Sequence, residues 1–208
     1  MAAGTGERMH SDIPKQFMEI DGLPIIVHTY KLFKEIENLN IYIVLPSSNF
    51  EKWHKYILEF IDEDTKLVKG GEHRNISVRN GINEILSDDG FVGIHDGVRP
   101  FITKHLVNKL FTEAEKHGNA IPFTNTINSM RKIDGNKNFS VDRSKYVQIQ
   151  TPQIFETKLI KESLNRIQEN NYTDEASLIE EIGLNVNLVE GEEENIKITT
   201  KKDLTYFN

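Results

Sequence analysis

The residues best placed to do chemistry are glycines and cations. The chain opens Met1-Ala2-Ala3-Gly4-Thr5-Gly6-Glu7-Arg8-Met9, and Pro14-Lys15-Gln16 follows shortly after. Two glycines this close let backbone N–H groups crowd around an anion, because no β-carbon holds it away. Arg8 and Lys15 add the positive charge that a polyphosphate would need. Gly-x-Gly alone also describes a plain surface turn. Two better-defined phosphate motifs are absent: there is no Gly-Lys-Ser/Thr, and Met9 stands where a dinucleotide fingerprint has its third glycine. A second glycine pair, Gly70-Gly71, precedes Glu72, Arg74 and Ser77. It suits close backbone approach to a ligand or, equally, a strand-to-helix turn. Asp96 follows an apolar run, where open α/β sheets gather their ligands, although a lone Asp there is also an ordinary turn former. Lys197 lies between two isoleucines. In a strand it faces away from them, and burying it without an anion is costly; snorkelling to the surface is the alternative. With no cysteine and no Ser/His/Asp grouping, these residues point to charge stabilisation on phosphate rather than to a covalent nucleophile.

Alternating short strands and amphipathic helices must position them. Strands are predicted at Ile41–Leu45, Thr65–Lys69, Phe91–His95, Ala120–Thr124, Tyr146–Gln150, Asn185–Glu190 and Ile196–Thr199. Helices are predicted at Phe50–Phe60, Arg74–Leu86, Thr157–Asn170 and Asp174–Ile182, with a short one at the C-terminus. Another runs from an N-cap at Thr103 to a stop at Gly118. This order predicts an α/β fold: a Rossmann-like, mostly parallel twisted sheet with helices on both faces. The glycine-rich loop would ordinarily follow the central strand of such a sheet; here it begins at the first residue, which leaves open that a strand belongs ahead of Met1. Between about residues 124 and 148 the rhythm lapses into Asn, Lys, Asp, Gly and Ser. A long structureless stretch is uncommon unless functional, so an extended arm packing on a second subunit is expected there, within a single domain of residues 1–208.

Composition narrows the partners. A net charge of −7 and a pI near 5.5 argue against a broad nucleic-acid or anionic-membrane footprint. No apolar run approaches the ~20 residues of a membrane span, and no signal-peptide pattern opens the chain; a cytoplasmic location is expected.

The strings AAGTGERM…PKQF, GGEHRNISVRNGI, HDGVRPFI, VDRSKY, QTPQIF, TDEAS, VEG and NIKITTKKDL occur in order from Ala2 to about Leu204. Together they resemble the 2-C-methyl-D-erythritol 4-phosphate cytidylyltransferases of the non-mevalonate isoprenoid pathway, nucleotidyltransferases that activate a polyol phosphate. The resemblance implies the nucleotidyltransferase fold, CTP and a polyol phosphate as substrates, Mg²⁺ held mainly by CTP phosphates and water, and a homodimer. It implies that Gly4, Thr5 and Gly6 wrap the phosphates, that Arg8, Lys15 and Lys197 stabilise the transition state, and that Ala2, Ala3, Gly71, Glu72 and Ser77 read the cytosine. It further implies that Asp96, Arg143, Thr151 and Ser129 bind the acceptor, Arg143 and Thr151 reaching it with the arm of a neighbouring subunit. Arg74 and Arg99 are read as structural supports, and Thr173-Asp174 as a helix start.

One departure stands out. Members of the family carry an Asp-Thr or Asp-Ser pair followed two residues later by a base. Here Asn125-Thr126 keeps the spacing to Arg143 but loses both charges, whereas Asn128-Ser129-Met130-Arg131 keeps the hydroxyl and the base and replaces the acid by Asn. The second alignment is preferred. The nearest rival acceptor is ribitol 5-phosphate, and a non-catalytic nucleotide-binding module is a more distant alternative.

Overall fold

The computed structural model describes residues 1–4, 13–166, 172 and 174–207. A two-residue hairpin, β1 (Glu19–Ile20) and β2 (Leu23–Pro24), leads into α1 (Ile25–Lys34). Then come β3 (Tyr42–Leu45), α2 (Phe50–Leu58), β4 (Lys66–Lys69), α3 (Arg74–Asn83), β5 (Phe91–Ile94), α4 (Lys104–His117) and β6 (Asn119–Asn125). An excursion, β7 (Met130–Asp134) and β8 (Lys137–Val141), interrupts the rhythm before β9 (Val147–Ile149), β10 (Gln153–Glu156), α5 (Thr157–Arg166), α6 (Ala176–Glu181) and β11 (Leu188–Glu190).

The α/β reading holds, and the sheet is mixed in direction. β3 and β4 pair in parallel, as do β6 and β11, whereas β10 runs antiparallel between β5 and β6 and β9 pairs antiparallel with β6. Consecutive residues of β6 and β10 face opposite helical layers. Ala120 and Ile154 pack with Leu106, Val107, Leu110 and Ala114 of α4. Ile121 and Phe155 pack with α3, α5 and α6 through Val78, Ile82, Ile160 and Ile179. This two-residue alternation puts helices on both faces. A third core stacks Phe17 flat on Trp53, ring centroids 4.1 Å apart, beside Ile26, Tyr30 and Leu45.

The α4 caps follow the sequence: Leu106 N–H donates to Thr103 Oγ1 at 3.1 Å, and Gly118 ends the helix at φ +79°. Three predicted elements differ. Ile196–Thr199 joins no strand ladder, since Ile198 N–H donates to Val98 O and the side chain of Lys197 turns to an ion pair. The strand expected over Asn185–Glu190 is confined to Leu188–Glu190, because the chain before it is tied instead by the Asn119 side chain to Asn185 O and Asn187 N–H. The helix expected from Asp174 starts at Ala176, with Asp174 Oδ1 accepting from the Ser177 amide and hydroxyl. Residues 167–170 of the preceding predicted helix, and Thr173, lie outside the described residues.

Among the described residues β3 and β5 share no ladder, and Met1 and Ala2 bridge their ends. Ala2 N–H donates to Val44 O (2.9 Å), Gly97 N–H donates to Met1 O (2.8 Å), and the Met1 ammonium donates to His95 O. Behind this bridge lies a cavity of about 460 Å³ lined by Tyr42, Val44, Val92, Gly93 and Ile154.

Candidate functional site

The site forms where the carboxyl ends of β3, β4 and β5 meet three loops. Its glycine side is tightly shaped. Gly70 N–H donates to Leu45 O, and a β-carbon at Gly70 would stand 2.8 Å from Ala3 Cβ, Leu45 O and Ser77 Oγ. Ala3, Gly70 and Ser77 therefore touch only because position 70 lacks a side chain. The buried Ser77 hydroxyl donates to His73 O and accepts from Gly71 N–H at 3.0 Å. That hydroxyl is spent on bracing the loop, whereas Glu72 is exposed. The side chain of Gln16, buried at 2% exposure, donates to Ala2 O (2.7 Å) and Gly4 O (2.8 Å), pinning the entry to the glycine loop. Arg74 makes a two-pronged ion pair with Glu175, which is fully buried. It ties the start of α3 to the start of α6.

Opposite stands a charged cluster. The Lys197 ammonium lies 2.9 Å from Asp96 Oδ2, and Arg99 Nε donates to the same oxygen at 3.2 Å. Arg99 Nη1 also reaches Asn195 O. Burial alone would raise the Asp96 carboxyl, but Lys197 and then Arg99 outweigh it and hold the carboxyl well below the usual carboxylate range. Asp96 N–H donates to Thr151 Oγ1 (3.0 Å). His95 is fixed as a neutral ring because burial pushes it down to about 3. Its Nε2 faces Arg99 O, an acceptor, so that nitrogen carries the proton and Nδ1 accepts from the Thr151 hydroxyl at 3.1 Å. Lys15 joins from the other side, its ammonium donating to Ile198 O at 2.9 Å.

The structure thus gathers Ala2, Ala3, Gly4, Gly71 and Ser77 in one group of contacts and Lys15, Asp96, Arg99, Thr151 and Lys197 in another. Thr5, Gly6 and Arg8 lie outside the described residues. Arg143 and Ser129 are not brought to the cluster: both are exposed, and Arg143 bonds within its own arm to Ile127 O. Sequence reading missed Gln16, Gln150, Glu175 and Asn195. Gln16 is adjacent to Lys15, and Asn195 stands two residues before Lys197, so proximity to a cation was their only signal. Among the described residues no three His, Asp or Glu side chains gather as a metal cage. A divalent ion carried in by phosphate oxygens asks for none.

Close backbone around Gly70, with the Lys15 and Lys197 ammonium groups on the same part of the fold, can take an anionic ligand. The family model for 2-C-methyl-D-erythritol 4-phosphate cytidylyltransferase matches residues 1–208. The chain belongs to that family. Its relatives include the 2-C-methyl-D-erythritol 4-phosphate cytidylyltransferase of Bacteroides thetaiotaomicron, 38% identical over 98% of this chain and 94% of that one. That of Geobacillus kaustophilus is 37% identical over 99% of this chain and 92% of its own. The crystal structure of the Francisella tularensis cytidylyltransferase superposes with a TM-score of 0.85 at 28% identity, covering 100% of this chain and 95% of that one. The 4-diphosphocytidyl-2C-methyl-D-erythritol synthase of Anaerococcus prevotii gives 0.80 at 30% identity, covering 90% and 86%. Family membership and the mixed α/β architecture agree, and among the described residues no helix is long and apolar enough to cross a membrane.

Proposed function

We propose that the chain transfers the cytidylyl group of CTP to 2-C-methyl-D-erythritol 4-phosphate and releases pyrophosphate, a step of the non-mevalonate isoprenoid pathway. The observation that carries this reading is the convergence of Lys15 and Lys197 on one segment, in a fold whose other loop packs so closely that a β-carbon at Gly70 would collide. An acceptor phosphate oxygen attacks the α-phosphorus in line; the α–β phosphoanhydride bond breaks and pyrophosphate leaves with the bond's electron pair. A phosphate monoester is already anionic at neutral pH, so no general base is required, and positioning with charge stabilisation carries the rate.

In this reading Ala2, Ala3, Gly71 and Glu72 take the cytosine, Gly4, Thr5 and Gly6 the triphosphate, and Lys15, Lys197 and Arg8 the charge developing on the α-phosphate and leaving group. Ser77 supports the cytosine wall through Gly71. Asp96 binds acceptor hydroxyls. Mg²⁺ neutralises triphosphate charge when bound, held by phosphate oxygens and water. The β7–β8 arm exposes Ile127, Ile133 and Phe139, which favours its docking on a second copy in a homodimer, where Arg143 and Ser129 would grip the acceptor phosphate; Thr151, expected to arrive with that arm, is instead buried in this chain's own cluster beside Asp96 and would bind the acceptor from there. The cytoplasm is the proposed location. The test is pyrophosphate release from CTP and Mg²⁺ with methylerythritol 4-phosphate, against ribitol 5-phosphate as control. Release with the first acceptor supports the proposal, and release with ribitol phosphate alone overturns it.

A further inference from the structure

Lys197 supplies the ammonium paired with Asp96, yet it sits on the stretch between β11 and the C-terminal 3₁₀ turn (Lys201–Phe207) that joins no ladder. Two buried amide side chains hold that stretch instead. Gln150, 6% exposed, reaches from the loop between β9 and β10. Its Nε2 donates to Glu192 O at 2.7 Å, and its Oε1 accepts from Glu192 N–H at 3.4 Å. The side-chain amide thus bonds Glu192 as a neighbouring strand's peptide unit would. It fits because position 191 is glycine: a β-carbon there would stand 2.4 Å from Gln150 Oε1. Asn195, fully buried, completes the stitch, its Nδ2 donating to Thr151 O at 2.9 Å and to Gln150 Oε1 at 3.4 Å. Its main-chain carbonyl accepts from Arg99 Nη1 at 2.8 Å and from Gln150 Nε2 at 3.3 Å. The bonds close a ring from Asp96 through Thr151 and Asn195 along the backbone to Lys197, and back to Asp96.

We propose that Asn195 and Gln150 are positioning residues for the cytidylyl transfer: they replace the missing strand ladder and set the Lys197 ammonium against Asp96 and the acceptor threonine Thr151. The assignment rests on the function proposed above. A displacement of about 1 Å in such a group costs on the order of 10²-fold in rate.

Asn119 provides a matched control. It is also a buried amide, 2% exposed, stitching the same half of the sheet to the chain before β11 through Asn185 O and Asn187 N–H, but at the end of β6 away from the cluster. Asn195→Ala, Gln150→Met and Asn119→Ala are compared for melting temperature, CTP affinity, turnover with methylerythritol 4-phosphate, and titration of the Asp96 carboxyl by carbon NMR. The expected result is that all three melt lower. Only Asn195→Ala and Gln150→Met lose about 10²-fold in turnover with CTP affinity within about 2-fold of wild type, and only in these two does the Asp96 carboxyl rise towards its ordinary value. Equal turnover losses in all three variants overturn the proposal, and so does an Asp96 titration unmoved in Asn195→Ala. If wild-type protein binds CTP but is silent with this acceptor, the functional reading fails, and the Asp96 titration still decides the positioning role.

Discussion

Removing the Arg74 guanidinium should unfold the protein earlier by an amount the structure sets. Glu175 is fully buried and both its oxygens bond to Arg74, whose own side chain is 36% exposed. Breaking a buried pair from one side costs about 3–5 kcal/mol, because the surviving charge has lost its partner. Water can enter past the partly exposed Arg74 position, so the lower end, ~3 kcal/mol, applies. For a chain of 208 residues the unfolding entropy is roughly 0.4 kcal/mol/K, so Arg74→Ala should lower Tm by about 7 °C. Calorimetry at pH 7.5 measures this directly. The double variant Arg74→Ala/Glu175→Gln removes the stranded charge and should recover at least half of the loss. A fall of less than about 2 °C in the single variant, or no recovery in the double, would refute a buried, mutually dependent pair. Because Arg74 opens the helix that supplies Ser77, the single variant should also weaken CTP binding while leaving the acceptor KM nearly unchanged.

Other outcomes follow from the same geometry. Gly70→Ala should destabilise by about 1–3 kcal/mol in urea titrations, because backbone at Leu45 O cannot yield; Gly4→Ala, with open space around its β-position, should leave the urea midpoint unchanged. Lys15→Ala should cut turnover by about 10²–10³-fold with little change in CTP affinity, and an equal loss in both would deny it a transition-state role. His95 titrates at 6.5 in the unfolded chain and about 3 when folded. Between those values the unfolded state binds the extra proton, so stability is full above pH 6.5 and drains as pH falls, at up to about 1.4 kcal/mol per pH unit. His95→Gln should flatten that slope in urea midpoints compared between pH 7 and 5.

Local rules made some elements legible and not others. Thr103 and Gly118 announce α4, because capping and left-handed backbone are properties of single residues. Ile25-Ile26-Val27 opens α1 although its buried β-branched side chains suit a strand; burial on one side and the start at Pro24 override that preference. Nothing in Gln153–Glu156 declares that it runs antiparallel, since direction is set by the partners β5 and β6. The same limit applies to the site. Lys197 announces its need for an anion, yet which carboxylate answers is a matter of topology, and Asp96 lies half the chain away. Glu175 reads as part of a helix start, and only folding brings it beneath Arg74.

The ladder between β3 and β4 has a consequence for amide exchange. Ile41 and Leu45 turn their carbonyls to Lys66 and Gly70 on the β4 side. In a parallel ladder the N–H of a residue points the same way as its C=O, so the Ile43 and Leu45 amides are bonded to β4. In heavy water these two should hold their protons longest along β3, since losing them requires β4 to part from a strand whose side chains are almost all buried.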